Sequence, residues 1–336
     1  MNKDIYFTRE YGQVNELIEG GESIFYELRS RHGHITLGAI KREIDTLIDG
    51  ERYFDLTTPY GYGGPVIHEC TDPRQLLSEF QECFTRFTRD NNIVSEFVRF
   101  NPLFQNQEPF RELYDISHIR NTVGTDLGCS EDIFQSEFCS TARRKVRKLL
   151  RNEKISCELK RGFDDIEEFL DIYNETMSRL HASEFYYFDR EYFYGLKRQF
   201  GRQLFTTSVY YEDEIIAMGL YFISGDIIHD HLNGTRSRYL NLSPAYLLKY
   251  TAMNWAKDNG FSVIHYGGGV SNSEEDSVLK FKKRFSNATE FKFHIGRKIW
   301  NQEVYDRLCL MNGVDRETEF FPAYRADGGQ KKKVAV

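Results

Sequence analysis

The chain has 336 residues, too many for one ordinary domain and about right for two, so two cores are expected. Its make-up, 40% hydrophobic, 28% charged and 15% aromatic, argues against disorder, and a net charge of -7 means that any phosphate or nucleic-acid contact must come from a local basic patch; DNA is not an expected partner. The six cysteines show no CxxC pair and no zinc spacing, and neither an apolar signal core nor a ~20-residue apolar run is present, so a reduced, cytoplasmic protein without a metal site is expected, with a peripheral visit to a membrane surface left open.

In chain order, an opening helix over residues 11–18 precedes two strands, ESIFYELR and HITLGAIKREI, paired through a turn at residues 30–33. A third strand, RYFDLTT, runs into PYGYGGPV. That loop, with Tyr60, Tyr62 and Gly63, reads either as a rigid turn or as a nest of N–H groups facing a ligand phosphate. Asp72-Pro73 opens an amphipathic helix through Leu76, Phe80, Phe84 and Phe87, and the strands IVSEFVRFNPLF and RELYDISHIRNTVGTDLG follow. Next, STARRKVRKLLRNEK places Ala142, Val146, Leu149 and Leu150 on one helical face and surrounds them with Arg143, Arg144, Lys145, Arg147, Lys148 and Arg151. Such a face is either simply solvated or a contact for a polyanion, whether substrate, donor or RNA. The domain boundary is placed just past it, giving domains over residues 1–150 and 151–300 and a flexible tail over 323–336.

The second half continues with the strand ISCELKRG, two helices, the strands QLFTTSVYYE and IIAMGLYFIS, and then IIHDHLNG. Ser243-Pro244 caps the helix AYLLKYTAMNWAKDNG, and the strand FSVIHYGGG follows. Strand, helix and strand make a crossover whose helix start, at Ser243, Ala245 and Tyr246, is a seat for an anion or a polarised carbonyl. The fold class is α/β, a mixed sheet with helices on both faces. No GxGxxG and no Walker-type loop is present, which disfavours NAD- and ATP-dependent chemistry.

The stretch HLNGTRSRYLNLSPAYLLKYTAMNWAKDNGFSVIHYGGG, the FKKRF that follows it, the RRKVRKLLRN helix and the PYGYGGPV loop resemble the Gcn5-related N-acetyltransferase (GNAT) superfamily, in particular its tandem-domain Fem-type branch and acetyltransferase-like relatives. The resemblance implies two GNAT-like domains, each a mixed, mostly antiparallel sheet flanked by helices, with a cleft for a phosphate-bearing cell-wall or glycan precursor, and with residues 300–322 packing back on the first domain. It further implies an acyl or aminoacyl transferase that forms an amide on an amine of peptidoglycan or a related precursor. The FK-x-x-F motif matches Phe281, Lys282 and Phe285, which makes Lys282 the leading catalytic residue and Phe281 a donor contact. The acetyl-CoA loop Q/R-x-x-G-x-G/A is absent, so the donor is either aminoacyl-tRNA or acyl-CoA, used as a co-substrate with no permanently bound cofactor. The alternative is a non-catalytic GNAT-fold module that binds tRNA or a phosphorylated glycan.

Direct transfer to an amine needs a proton acceptor, a polarised carbonyl and alignment. Strand alternation puts His229, His231 and Asn233 on one face of IIHDHLNG and Asp230 and Leu232 on the other; Asp230 is the better base and His231 the better acceptor-binding group. Gly267, Gly268 and Gly269 permit close approach of the donor. Tyr266, Arg143 and Arg147 complete the expected acceptor contacts. Each of these also has a structural reading: packing for Tyr266, hydrogen-bonded core histidines, and a solvated basic face around Lys282.

Overall fold

A computed structural model describes residues 4–326, which divide into two compact units: residues 6–120 with 292 onward, and residues 4–5 with 121–291. The first unit opens with the short helices α1 (Arg9–Val14) and α2 (Glu16–Glu19), where the sequence suggested one helix. The hairpin β1 (Glu22–Ser30) and β2 (Gly33–Glu43) follows, then β3 (Phe54–Thr57) and β4 (Val66–Cys70). Asp72 caps α3 (Pro73–Asp90), which turns Leu76, Phe80 and Phe84 inward at helical spacing before β5 (Ile93–Arg99). β2 pairs antiparallel with β1, β3 and β4, while β3 pairs parallel with β5.

The strand β6 (Asp115–Asp126) begins in the first unit and ends in the second. There follow α4 (Ile133–Glu137), the basic α5 (Ser140–Leu150), β7 (Ile155–Arg161), α6 (Ile166–Arg179), α7 (Arg190–Phe200), β8 (Leu204–Tyr211), β9 (Glu214–Ser224), β10 (Ile227–Thr235), α8 (Ala245–Asp258), β11 (Val263–Gly267) and α9 (Ser277–Lys282). β6 pairs antiparallel with β11, β11 parallel with β10, and β10, β9, β8 and β7 antiparallel in succession. This is the expected mixed α/β layering, and the parallel pair β10/β11 is the one joined by α8. β12 (Glu290–Ile299) leads back to the first unit, where it pairs with β5 and precedes α10 (Gln302–Met311).

The compact units therefore divide at residue 120 rather than 150, because α5 buries Ala142, Val146 and Leu149 in the core of the second unit. Leu150, expected on that buried face, is 54% exposed. Part of the expected tail is fixed as well: Ala323 and Tyr324 are buried, and Arg325 donates to Asp55; residues 327–336 lie outside the described residues.

Inside the first unit, Glu96 on β5 accepts from the Tyr114 hydroxyl at 3.1 Å and from Trp300 Nε1 at 3.1 Å. Burial outweighs both donors and raises its carboxyl from 4.5 to about 7. The folded state thus holds a proton there that the unfolded chain releases; stability is full below pH 4.5 and is lost as pH rises toward 7, by about 3 kcal/mol at most. Glu96→Gln should remove this slope in urea unfolding series run between pH 4.5 and 8. Identical slopes in both proteins would refute the assignment.

Candidate functional site

β10 and β11 pair at only three rungs, Ile227↔Val263, Ile228↔Ile264 and His229↔His265. β10 then runs on to Thr235, while β11 bulges between His265 and Gly267 and leaves through Gly267, whose φ of 76° a larger residue would adopt only under strain. The two strands part above the last rung. In a crossover unit the connecting helix starts at this same end, so α8 opens beside the gap.

Three cations gather there. Lys282 Nζ donates to the Gly268 carbonyl at 2.7 Å. Lys145 Nζ donates to Ser243 Oγ at 3.0 Å and lies 4.5 Å from the centre of the Tyr246 ring. Arg284 donates to the Tyr246 hydroxyl, and that ring packs edge-on against Phe281 and Phe285. Ser243 takes a left-handed turn with φ 61° and Pro244 holds the cap position, so the serine meets Lys145 instead of capping the helix as the sequence suggested. The N–H groups of Tyr246 and Leu247 bond back to Ser243 and Pro244, and the side-chain cations add their charge to the positive end of the helix at Ala245.

The loop after Gly269 is shaped by Asp276. Its carboxylate accepts from the backbone of Val270, Ser271, Val278 and Leu279. Burial opposes its charge, yet these donors hold it below the usual carboxylate range. A Cβ on Gly269 would come within 2.5 Å of Asp276 Oδ1, so the glycine run serves this clamp as well as the opening.

The two residues favoured for proton transfer sit differently from expectation. A bulge between Asp230 and Leu232 against β9 makes His231 the extra residue, so Asp230 and Leu232 face opposite sides of the sheet instead of sharing one. Asp230 is ion-paired with Lys249 of α8, and both side chains are 1% exposed. A carboxylate already holding a buried ammonium is not an open base. His231 stacks on Phe222 with centroids 4.1 Å apart and shares a 2.7 Å hydrogen bond with the Tyr192 hydroxyl. Burial lowers its pKa to about 3, leaving a neutral, weakly basic ring.

Of the expected acceptor contacts, Tyr266 is buried against Thr125, its hydroxyl 2.8 Å from Oγ1, and burial raises its pKa. Arg143 donates to the Phe138 and Gln135 carbonyls and thereby braces the turn before α5, while Arg147 stands exposed over the Phe134 ring. From the basic run it is Lys145 that reaches the start of α8. Tyr60, Tyr62 and Gly63 lie in the first unit, in a loop whose polar groups turn inward. Gly63 N donates to Arg99 O at 2.7 Å, Asn106 donates to the Gly63 carbonyl, and the Arg99 guanidinium binds the Thr58 and Pro59 carbonyls and Glu19. Tyr62 packs edge-on against Tyr6 and Phe293. This loop lies at the end of the β3/β5 parallel pair, the position that corresponds to the end of the β10/β11 pairing.

Sequence reasoning named Lys145 only as one member of the basic face, choosing Arg143 and Arg147 from it, and passed over Lys249. A lysine amid the apolar run LLKYTAMNW, on a helix buried nearly all round, was the available signal for Lys249.

Residues 136–283 match the family model described as an acetyltransferase (GNAT) domain. Among solved structures, the chain is similar to FemX, with a TM-score of 0.65 at 13% identity, covering 91% of this chain and 94% of that one. It is also similar to L-PGS from Bacillus licheniformis, with a TM-score of 0.53 at 13% identity over 90% and 96% of the two chains. The C-terminal domain (DUF2156) of a putative lysylphosphatidylglycerol synthetase from Agrobacterium fabrum gives 0.53 at 11% identity over 90% and 95%. At these identities the likeness is one of fold. No curated protein sequence matches the chain.

Proposed function

We propose, from the match of residues 136–283 to the family model described as an acetyltransferase (GNAT) domain, that the protein is an acyltransferase that joins an acyl or aminoacyl group to an amine of a cell-wall or glycan precursor. The observation that carries the reading is the gap between β10 and β11, with Lys282 fixed on Gly268 at one side and the α8 start, flanked by Lys145 and Arg284, at the other. A donor carbonyl in the gap lies in the reach of the Lys282 ammonium, which stabilises the oxyanion that forms as the amine attacks. Lys145 and Arg284 suit the phosphates of either donor, coenzyme A or the 3′ end of a tRNA. Attack is direct in a ternary complex, because no step requires an acyl-enzyme. The fold is shared with a protein named for making lysylphosphatidylglycerol, which is in keeping with an aminoacyl donor and a phosphate-bearing acceptor. No described helix is long and apolar enough to cross a membrane, so a lipid-linked acceptor would be met at the surface.

The test is to supply radiolabelled acetyl-CoA and charged tRNA separately, with a pool of cell-wall precursors, and to follow the label into amide. Transfer from one donor is expected, and Lys145→Ala should weaken that donor about tenfold. Should the donor be tRNA, its affinity falls roughly 10³-fold or more between 50 and 200 mM salt, and far less should it be a thioester. Absence of transfer from both donors overturns the reading.

A further inference from the structure

A row of buried polar side chains crosses the foot of the gap. Asp4 is 2% exposed, His229 1%, His265 2% and Thr122 1%. Asp4 Oδ2 lies 2.8 Å from His229 Nε2, and His265 Nε2 lies 2.8 Å from Thr122 Oγ1. The two imidazoles meet edge to face, with centroids 5.7 Å apart, on the last rung that β10 and β11 share. Asp4 stands 225 residues before its partner, and the segment carrying it is pinned where Ile5 N–H donates to Ser224 Oγ at 2.8 Å. A carboxylate sealed from water this thoroughly is costly unless a hydrogen-bond donor meets it, and the imidazole is that donor.

The geometry also sets the tautomer. With Nε2–H donated to Asp4, the ring lone pair lies on Nδ1, and the carboxylate is placed to stabilise the imidazolium formed when Nδ1 takes a proton. The other two groups near the gap are unsuited to this task. Asp230 already holds Lys249, and His231 is bound to Tyr192.

We infer that His229 is the proton acceptor for the attacking amine and that Asp4 is the residue that positions it. The inference rests on the acyl-transfer reading above. In the step, the acceptor ammonium passes a proton to His229 Nδ1 and its nitrogen lone pair forms the C–N bond. The donor's C–O or C–S bond then breaks, the leaving oxygen or sulfur takes the second proton from the nitrogen as it becomes the amide, and the imidazolium releases the first to solvent. Among the described residues, the titratable groups facing His229 include Asp4, His265 and His231, and Lys282 in turn acts on His265.

The experiment compares two acceptors with acetyl-CoA and with alanyl-tRNA as donors: hydroxylamine, already uncharged at pH 7, and the ε-amine of a lysine peptide, which is protonated there. Asp4→Asn and His229→Gln should lose roughly 100-fold or more toward the lysine peptide. Toward hydroxylamine they should stay within about threefold of the unmodified protein, since no proton has to be removed before attack. Equal losses toward both acceptors would overturn the role of the pair while leaving acyl transfer standing. No transfer to either acceptor by the unmodified protein would overturn the acyl-transfer reading and this inference with it. Independently of any variant's folding, ¹⁵N spectra of histidine-labelled protein should show His229 as the Nε2–H tautomer, shifted toward Nδ1–H in Asp4→Asn. An Nδ1–H tautomer in the unmodified protein would refute the assignment.

Discussion

Lys249→Met is expected to destabilise the second unit by about 3–5 kcal/mol, seen as a lower urea midpoint with an unchanged slope. Lys249 and Asp230 are both 1% exposed, and the ammonium also lies 5.6 Å from the Tyr221 ring centre and 5.9 Å from that of Tyr266. Removing it strands a carboxylate whose second oxygen, Oδ1, is buried with no hydrogen-bond partner among the described residues. Coulomb attraction at a buried pair only offsets the cost of taking two charges out of water, so replacing both should be far milder than replacing one. Asp230→Leu combined with Lys249→Met should therefore recover most of the loss. A single-variant loss below about 1 kcal/mol would show that this pair does not hold α8 to β10.

The second large effect falls on rate. Lys282→Ala should lower transfer by roughly 10²–10³-fold while the donor's dissociation constant changes less than about tenfold, the pattern of an interaction that strengthens as the oxyanion forms. Lys282→Arg, which keeps the charge but not the fit to the Gly268 carbonyl, should fall between the two. Rate and affinity declining together, by equal factors, would make Lys282 a binding group and favour a module that recognises its ligand without turning it over.

What the sequence disclosed and what it withheld divide along chain separation. β10, α8 and β11 were readable because their signals are local: β-branched runs, a helical stretch without breakers and the glycines at 267, 268 and 269. The clustering of cations at the α8 start was only half readable. A charged run announces a basic helix, but which of its residues points where depends on the phase set by Ala142, Val146 and Leu149 against the core. That phase sends Lys145 to Ser243, 98 residues away, and leaves Arg147 outside. The faces of β10 were misread for a related reason. Two-residue alternation holds only while pairing is regular, and nothing in HDHL marks the bulge that makes His231 the extra residue. The PYGYGGPV loop showed that it must be shaped; that Arg99 and Asn106 turn its polar groups inward follows from pairings formed about 40 residues later.

The path of the chain bears on how the protein is made. β5 finds its antiparallel neighbour only in residues 295–299, whereas everything the second unit needs is complete by residue 291. During translation at ~5–20 residues per second, the ribosome spends about ten to thirty seconds between residue 120 and residue 292. Throughout that interval the nascent first half carries an open strand edge, so the half synthesised first is the one finished last and the one on which a chaperone would have to wait.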